Sequence, residues 1–181
     1  MKKIFLVTGI LIATTFTSIY AQGNIDDNNV KEGGEKNQNA VSEYTQNQFV
    51  SDFPNATDIH FEKTKGFDKV YFGQNGKETT AYYDYNNQLV GTISKGSFHD
   101  LTSDAQAKIL DKYPNYSVEE VLLLKMNSDN ESYNENNTDL TLYGNSFEKA
   151  SNYFVELKND NNEIVLEVGL SSEVSFFKTI K

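Results

Sequence analysis

From Val41 onward, the apolar positions switch between two periods, and the switch happens twice. Val41, Tyr44, Phe49 and Phe53 recur every three to five residues and stop at Pro54, which predicts a short helix with one face on a core. The period then falls to two. Ile59 and Phe61 alternate with His60 and Glu62, and the runs Val70 to Gly73 and Lys77 to Tyr85 flank Asn75-Gly76, a pair suited to a tight hairpin turn. A further turn at Asn86-Asn87 leads into Gln88 to Ser94. One helix followed by about four antiparallel strands is expected.

The same order then returns. Ser103 with Gln106 three residues later has the form of a capping box, and Ala105, Ile109 and Tyr113 supply the apolar stripe of a second helix ending at Pro114. Strands are expected at Val118 to Met126, Tyr153 to Lys158, Glu163 to Val168 and Val174 to Ile180. Only two prolines occur, and they fall at matching points, in Phe53-Pro54-Asn55 and Tyr113-Pro114-Asn115. Phe49 and Ile109 each stand four residues before the matched aromatic. Asn86-Asn87-Gln88-Leu89-Val90 also matches Asn161-Asn162-Glu163-Ile164-Val165, at an offset of 75 instead of 60. That growth implies a 15-residue insertion, and the Asn-, Asp- and Glu-rich stretch 127–148 has room for it. Duplication accounts for both matches. The fold class expected is α+β: two tandem helix-plus-antiparallel-strand repeats, about 40–96 and 97–181, forming one antiparallel sheet with the helices on one face.

What precedes Val41 reads differently. Lys2 and Lys3 open a segment that is apolar from Ile4 to about Ile12 and ends in a Thr/Ser-containing tail at Ala21, the pattern of a secretory signal peptide. Thr8, Gly9 and the run from Thr14 to Ser18 interrupt the roughly 20 apolar residues a membrane span needs. Cleavage after Ala21 is therefore expected, and residues 22–39, nearly free of apolar side chains, read as a disordered linker.

Charge and composition narrow the function. The formal charge is -10, every basic residue is lysine, and there is no cysteine. Loss of Lys2 and Lys3 with the leader takes the charge to -12. Without arginine or clustered positive charge, nucleic acid and anionic membrane surfaces are poor partners. Without cysteine there is neither a disulfide framework nor a lipid-attachment residue, so a soluble periplasmic or released protein is expected.

Three stretches resemble a known family. They are Phe49-x-x-x-Phe53-Pro54-Asn55-Ala56 leading into a strand, Ala81-Tyr82-Tyr83-Asp84 before an Asn turn, and Leu101-Thr102 opening a helix that ends in Tyr113-Pro114-Asn115-Tyr116-x-Val118. Together they are similar to small exported proteins described as PepSY-like or β-lactamase-inhibitor-like. The resemblance spans Val41 to the C-terminus apart from the insertion. It implies a helix-plus-antiparallel-sheet architecture, Phe53 and Pro54 as helix stop and core plug, and a binding or inhibitory role for a concave sheet face. It supplies no catalytic residue.

Reactive groups are scarce. His60 alternates with Ile59 and Phe61, so it points to solvent from a strand. His99 lies beside Ser97 and Asp100 in a loop, without the converging partners a triad requires. Gly76-Lys77 lacks the spacing of a phosphate loop, and Glu78 stands where Ser or Thr should follow. Asp129, Glu131, Glu135 and Asp139 offer hard oxygen ligands for Ca²⁺, but no glycine is placed for the sharp turn, and a solvated loop is the better account. Tyr71, Tyr82, Tyr83, Tyr85 and Tyr116 lie on or beside strands, so one tyrosine row is expected at the surface unless both sheet faces are covered. No catalytic, cofactor-binding or metal-binding residue is assigned. The reading is a non-enzymatic extracytoplasmic binding or inhibitor-like module whose partner is a protein or extracellular polymer. A Ca²⁺-assisted envelope or surface-polymer binder is the alternative, and a hydrolase using His99 the third reading.

Overall fold

The computed structural model describes residues 40–128, 141–143, 145–146 and 150–180. The leader 1–21 and the linker 22–39 lie outside them. The two helices, α1 (Glu43–Asp52) and α2 (Ser103–Lys112), are built alike down to their ends. Each starts at an extended hydroxyl residue, Ser42 or Thr102, whose side chain accepts the backbone N–H of Thr45 or Ala105. One turn in, Gln46 and Gln106 each donate from Nε2 back to the carbonyl of a buried apolar residue, Val41 and Leu101. The cap of α2 is thus Thr102, not Ser103. Gln106 sits one residue beyond the capping-box position and bonds Leu101 instead. Both helices stop with Phe53 or Tyr113 donating N–H to Phe49 or Ile109 at 2.9 Å, just before a proline that has no N–H to continue the ladder.

Strands β1 (Thr57–Lys63), β2 (Asp68–Gln74), β3 (Lys77–Tyr83) and β4 (Leu89–Lys95) follow α1. A 3₁₀ turn at Phe98–Asp100 precedes α2. After α2 come β5 (Ser117–Met126), the two-residue strands β6 (Thr141–Leu142) and β7 (Asn145–Ser146), then β8 (Asn152–Lys158), β9 (Glu163–Gly169) and β10 (Val174–Thr179). Among the described residues eight strands form one antiparallel sheet in the order β1-β2-β3-β4-β5-β8-β9-β10, and β6 and β7 pair with each other. Asn75 and Gly76 both have positive φ, as the tight β2–β3 turn demands.

The repeat is present, but one of its two sequence matches pairs the wrong turns. Glu43 to Ser103 and Thr57 to Ser117 are 60 residues apart, whereas Asp68 to Asn152 are 84 apart. The β3–β4 turn, where Asp84 donates N–H to Gln88 and Asn87 to Asp84, corresponds to the β9–β10 turn, where Gly169 bonds Glu173 and Ser172 bonds Gly169. Asn87 and Ser172 both take positive φ there, 85 residues apart. Asn161-Asn162 belongs instead to the β8–β9 turn, whose counterpart is Asn75-Gly76. The inserted length is therefore 24 residues rather than 15, and the Asn-Asn likeness reflects shared turn chemistry, not shared position.

Cross-strand register places both helices on the same face. Under α1, Phe49, Val70, Phe72, Ala81 and Tyr83 form one cluster. Under α2, Ala105 and Ile109 pack with Val121, Val155, Leu157 and Leu166. Phe49 and Ile109 are the buried plugs, at 0% and 2% exposure. Phe53 and Tyr113, expected to be largely buried, are only half-buried, because as cap residues they leave the helix stripe.

Candidate functional site: the helix-free sheet face

Two rows of side chains cross the face opposite the helices. One runs His60, Tyr71, Thr80, Ile93 and Leu124, and the next runs Glu62, Lys69, Tyr82, Gly91 and Met126. Towards the middle this face is apolar: Phe67, Val90, Leu124, Phe154 and Val165 are buried together. The β6–β7 hairpin of the insertion packs there, with Leu142 and Tyr143 against the cluster. The Tyr143 backbone carbonyl accepts Lys178 Nζ at 2.6 Å, and its hydroxyl donates to Glu156 Oε2 at 3.4 Å. The expectation of a solvated loop over 127–148 is thus corrected at its far end, where Leu142 and Tyr143 give the segment apolar area to bury.

The hairpin leaves the β1–β2 end of the face open, while Tyr82 on β3 packs against the apolar cluster. His60 is exposed and stacks on Tyr71, ring centroids 6.1 Å apart and planes 30° apart. The Tyr71 hydroxyl donates to Glu62 Oε2 at 2.6 Å. Burial, then the bond to Glu62 and its charge, push the Tyr71 phenol up to about 12. Burial and the same carboxylate raise Tyr82. Both phenols are therefore neutral donors at any physiological pH. On the closed part, burial raises Glu156, helped by its hydrogen bond to Glu163 and the charges of Glu163 and Glu120. Burial likewise raises the Tyr143 hydroxyl, with Glu156 and Glu120 adding to it.

The other sequence candidates scatter. His99 is exposed in the 3₁₀ turn with no hydrogen bond among the described residues. Its neighbour Asp100 accepts Lys77 Nζ at 2.9 Å and the Ser97 N–H at 3.0 Å, contacts that hold its carboxyl below the usual range. Gly76 completes the β2–β3 turn, and Lys77, the first residue of β3, makes that ion pair. Tyr83 is buried on the helix side, donating to Asp52 at 2.9 Å. Tyr85 lies beyond the end of β3, and Tyr116 packs edge-on against Tyr113 under α2. Asp129, Glu131, Glu135 and Asp139 lie outside the described residues. Among the described residues no three His, Asp or Glu side chains are placed to hold a metal ion. The residues missed from sequence are Leu142 and Tyr143, whose signal was a brief apolar run, Leu140 to Tyr143, inside a polar segment.

Solved structures share this architecture. A BLIP-like protein from Bacteroides fragilis NCTC 9343 superposes with a TM-score of 0.60 at 18% identity, covering 78% of this chain and 87% of its own. The chain has the BLIP-like fold. A DUF2874 family protein from Bacteroides uniformis ATCC 8492 matches at a TM-score of 0.62 and 12% identity, over 78% of this chain and 91% of that one. A presumed periplasmic protein from Bacteroides eggerthii DSM 20697 matches at 0.62 and 11%, over 78% and 90%. No protein-family model matches the sequence, and neither does any curated protein. At these identities the BLIP-like likeness is one of fold. No helix among the described residues is long and apolar enough to cross a membrane.

Proposed function

We propose that this chain is a non-enzymatic binding module acting outside the cytoplasm, with the open β1–β2 end of the helix-free face as its contact surface. The observation that carries this reading is the His60–Tyr71 stack, braced by Glu62 and left exposed on a face whose centre the chain seals with its own hairpin. Tyr71 projects from β2, paired on both sides, and His60 and Glu62 from the edge strand β1 that pairs with it, so their geometry is set by the sheet before any partner arrives, which lowers the ordering cost of binding. Tyrosine offers such a surface both apolar area and a hydrogen bond. The exported location is supported by the leader pattern, alongside the presumed periplasmic protein of like fold. The BLIP-like fold supports a protein partner in general, without making β-lactamase the target. Against an enzyme stands the chemistry of the described residues, where His99 has neither a nucleophile nor an orienting carboxylate bonded to it.

The test is affinity capture from the native envelope or medium with the parent protein and with His60→Ala/Tyr71→Ala, read by mass spectrometry and polysaccharide analysis. The double variant should melt near the parent temperature yet lose the captured species. Equal capture by both would overturn the assignment of this face, and loss of function in His99→Ala alone would restore the enzyme.

A further inference from the structure

On the helix-bearing face, a trough of about 580 Å³ runs over β3, β4 and β5, and no residue of α2 lines it. From the α1 end, Phe53 forms part of its wall, with Leu123 on β5. Its floor is a block of hydroxyls: Thr79 faces Ser94 directly across β3 and β4, and Thr92 faces Lys125 across β4 and β5. Thr79 is only 8% exposed, and its side-chain hydroxyl has no hydrogen-bond partner among the described residues. A buried hydroxyl left without a partner costs stability, and such groups are rare enough to need a reason. Thr92 and Ser94 have none either.

The charge of the trough is opposite to that of the chain. Aspartate and glutamate outnumber lysine 26 to 16 overall, yet the charged residues lining the trough are Lys77 and Lys125. Lys77 is committed to Asp100, while Lys125 is exposed and has no ion pair among the described residues. The three strands are central in the sheet, so their backbone groups are spent on both neighbours. An added peptide strand has no ladder to join on these strands, and among the described residues of the trough no bundle of free N–H groups is placed to cradle a phosphate. What remains is recognition by side chains: hydroxyls that both donate and accept, one ammonium, and an aromatic wall.

The geometry points to a binding site for a small acidic saccharide of the uronic acid type. Its carboxylate pairs with Lys125, its hydroxyls meet Thr79, Thr92 and Ser94, and its C–H face lies against Phe53. The volume lies within the range of ordinary ligand pockets. This site is on the other side of the sheet from the proposed contact surface and stands or falls independently of it.

Calorimetric titration of the purified protein with digalacturonate tests it, with the uncharged methyl ester as control. Binding is expected for the acid and not for the ester. Lys125→Gln should weaken binding at least tenfold. Thr79→Val should weaken it while raising the melting temperature, because a methyl replaces the unpaired hydroxyl, and Thr79→Ser should keep parental behaviour. Tyr71→Ala should leave the titration unchanged. Absence of heat at millimolar digalacturonate, undiminished binding by Lys125→Gln, or equal binding of the ester would each overturn the site. Should Thr79→Val fail to fold, the exposed Lys125 decides the matter alone.

Discussion

Phe49→Ala separates the buried plug of the first repeat from the half-buried cap residue that follows it. Phe49 is 0% exposed, and its ring meets Phe72 at 4.9 Å and Phe61 at 5.6 Å, both edge-on, and Phe53 at 5.4 Å. Removing a fully buried phenylalanine costs about 3 to 5 kcal/mol. The two edge-on partners, each worth about 0.5 to 1.5 kcal/mol beyond area, place Phe49 towards the top of that range. Phe53 keeps part of its ring in solvent and stands at the rim of the trough, so Phe53→Ala should cost about 1 to 2 kcal/mol, the value of partial burial. Urea denaturation of parent and both variants gives the two differences directly. A typical domain has roughly 5 to 15 kcal/mol in hand, so the Phe49 variant should be visibly marginal while the Phe53 variant stays folded. Equal costs, or a larger one for Phe53, would refute the assignment of Phe49 as the plug.

Three further outcomes are expected. Because the folded state raises Glu156 above its ordinary 4.5, it binds protons the unfolded chain does not, so stability falls as pH rises through the folded value. Glu156→Gln should therefore melt higher than the parent at neutral pH, and the advantage should vanish below about pH 4.5, as thermal melts across pH would show. Deleting 130–145 removes Leu142 and Tyr143 and should lower stability by about 1 to 3 kcal/mol through lost burial; added Ca²⁺ should not change the melt of either form, and a Ca²⁺-dependent rise abolished by the deletion would favour the calcium reading. Intact-mass measurement on fractionated native protein should give a chain beginning close to Gln22 outside the cytoplasm, and a full-length cytoplasmic chain would refute the leader.

Local features were legible because local physics produces them. Pro54 and Pro114 mark helix ends through a missing N–H, Asn75-Gly76 marks a hairpin through positive φ, and period-two alternation marks half-buried strands. His60 is at the surface as expected, but on the edge strand β1 its neighbour Ile59 is exposed as well, so the strand's place at the sheet edge contributes as much as the alternation. The cap of the second helix is not legible locally, because Thr102 and Ser103 both carry a capping hydroxyl and only the extended backbone of Thr102 distinguishes them. The Asn-Asn match misled because asparagine suits every tight turn, so turn composition does not say which turn it is.

By itself, the sequence determined the two helices, the eight main strands and the α+β class, since each rests on patterns within a few residues, and the matched prolines 60 residues apart pointed to the two like repeats. Only the tertiary structure decided how the faces are used. Whether Tyr71 stays open while Tyr83 is buried depends on what covers each side of β2 and β3. That Leu142 and Tyr143 close the centre of the helix-free face depends on a segment returning across β5 and β8. The hydroxyls of Thr79, Thr92 and Ser94 come together through the register of three strands. Residues separated by tens of positions acquire a shared surface only when register and packing bring them together, because side-chain interactions act over a few ångströms in space and carry no trace along the chain.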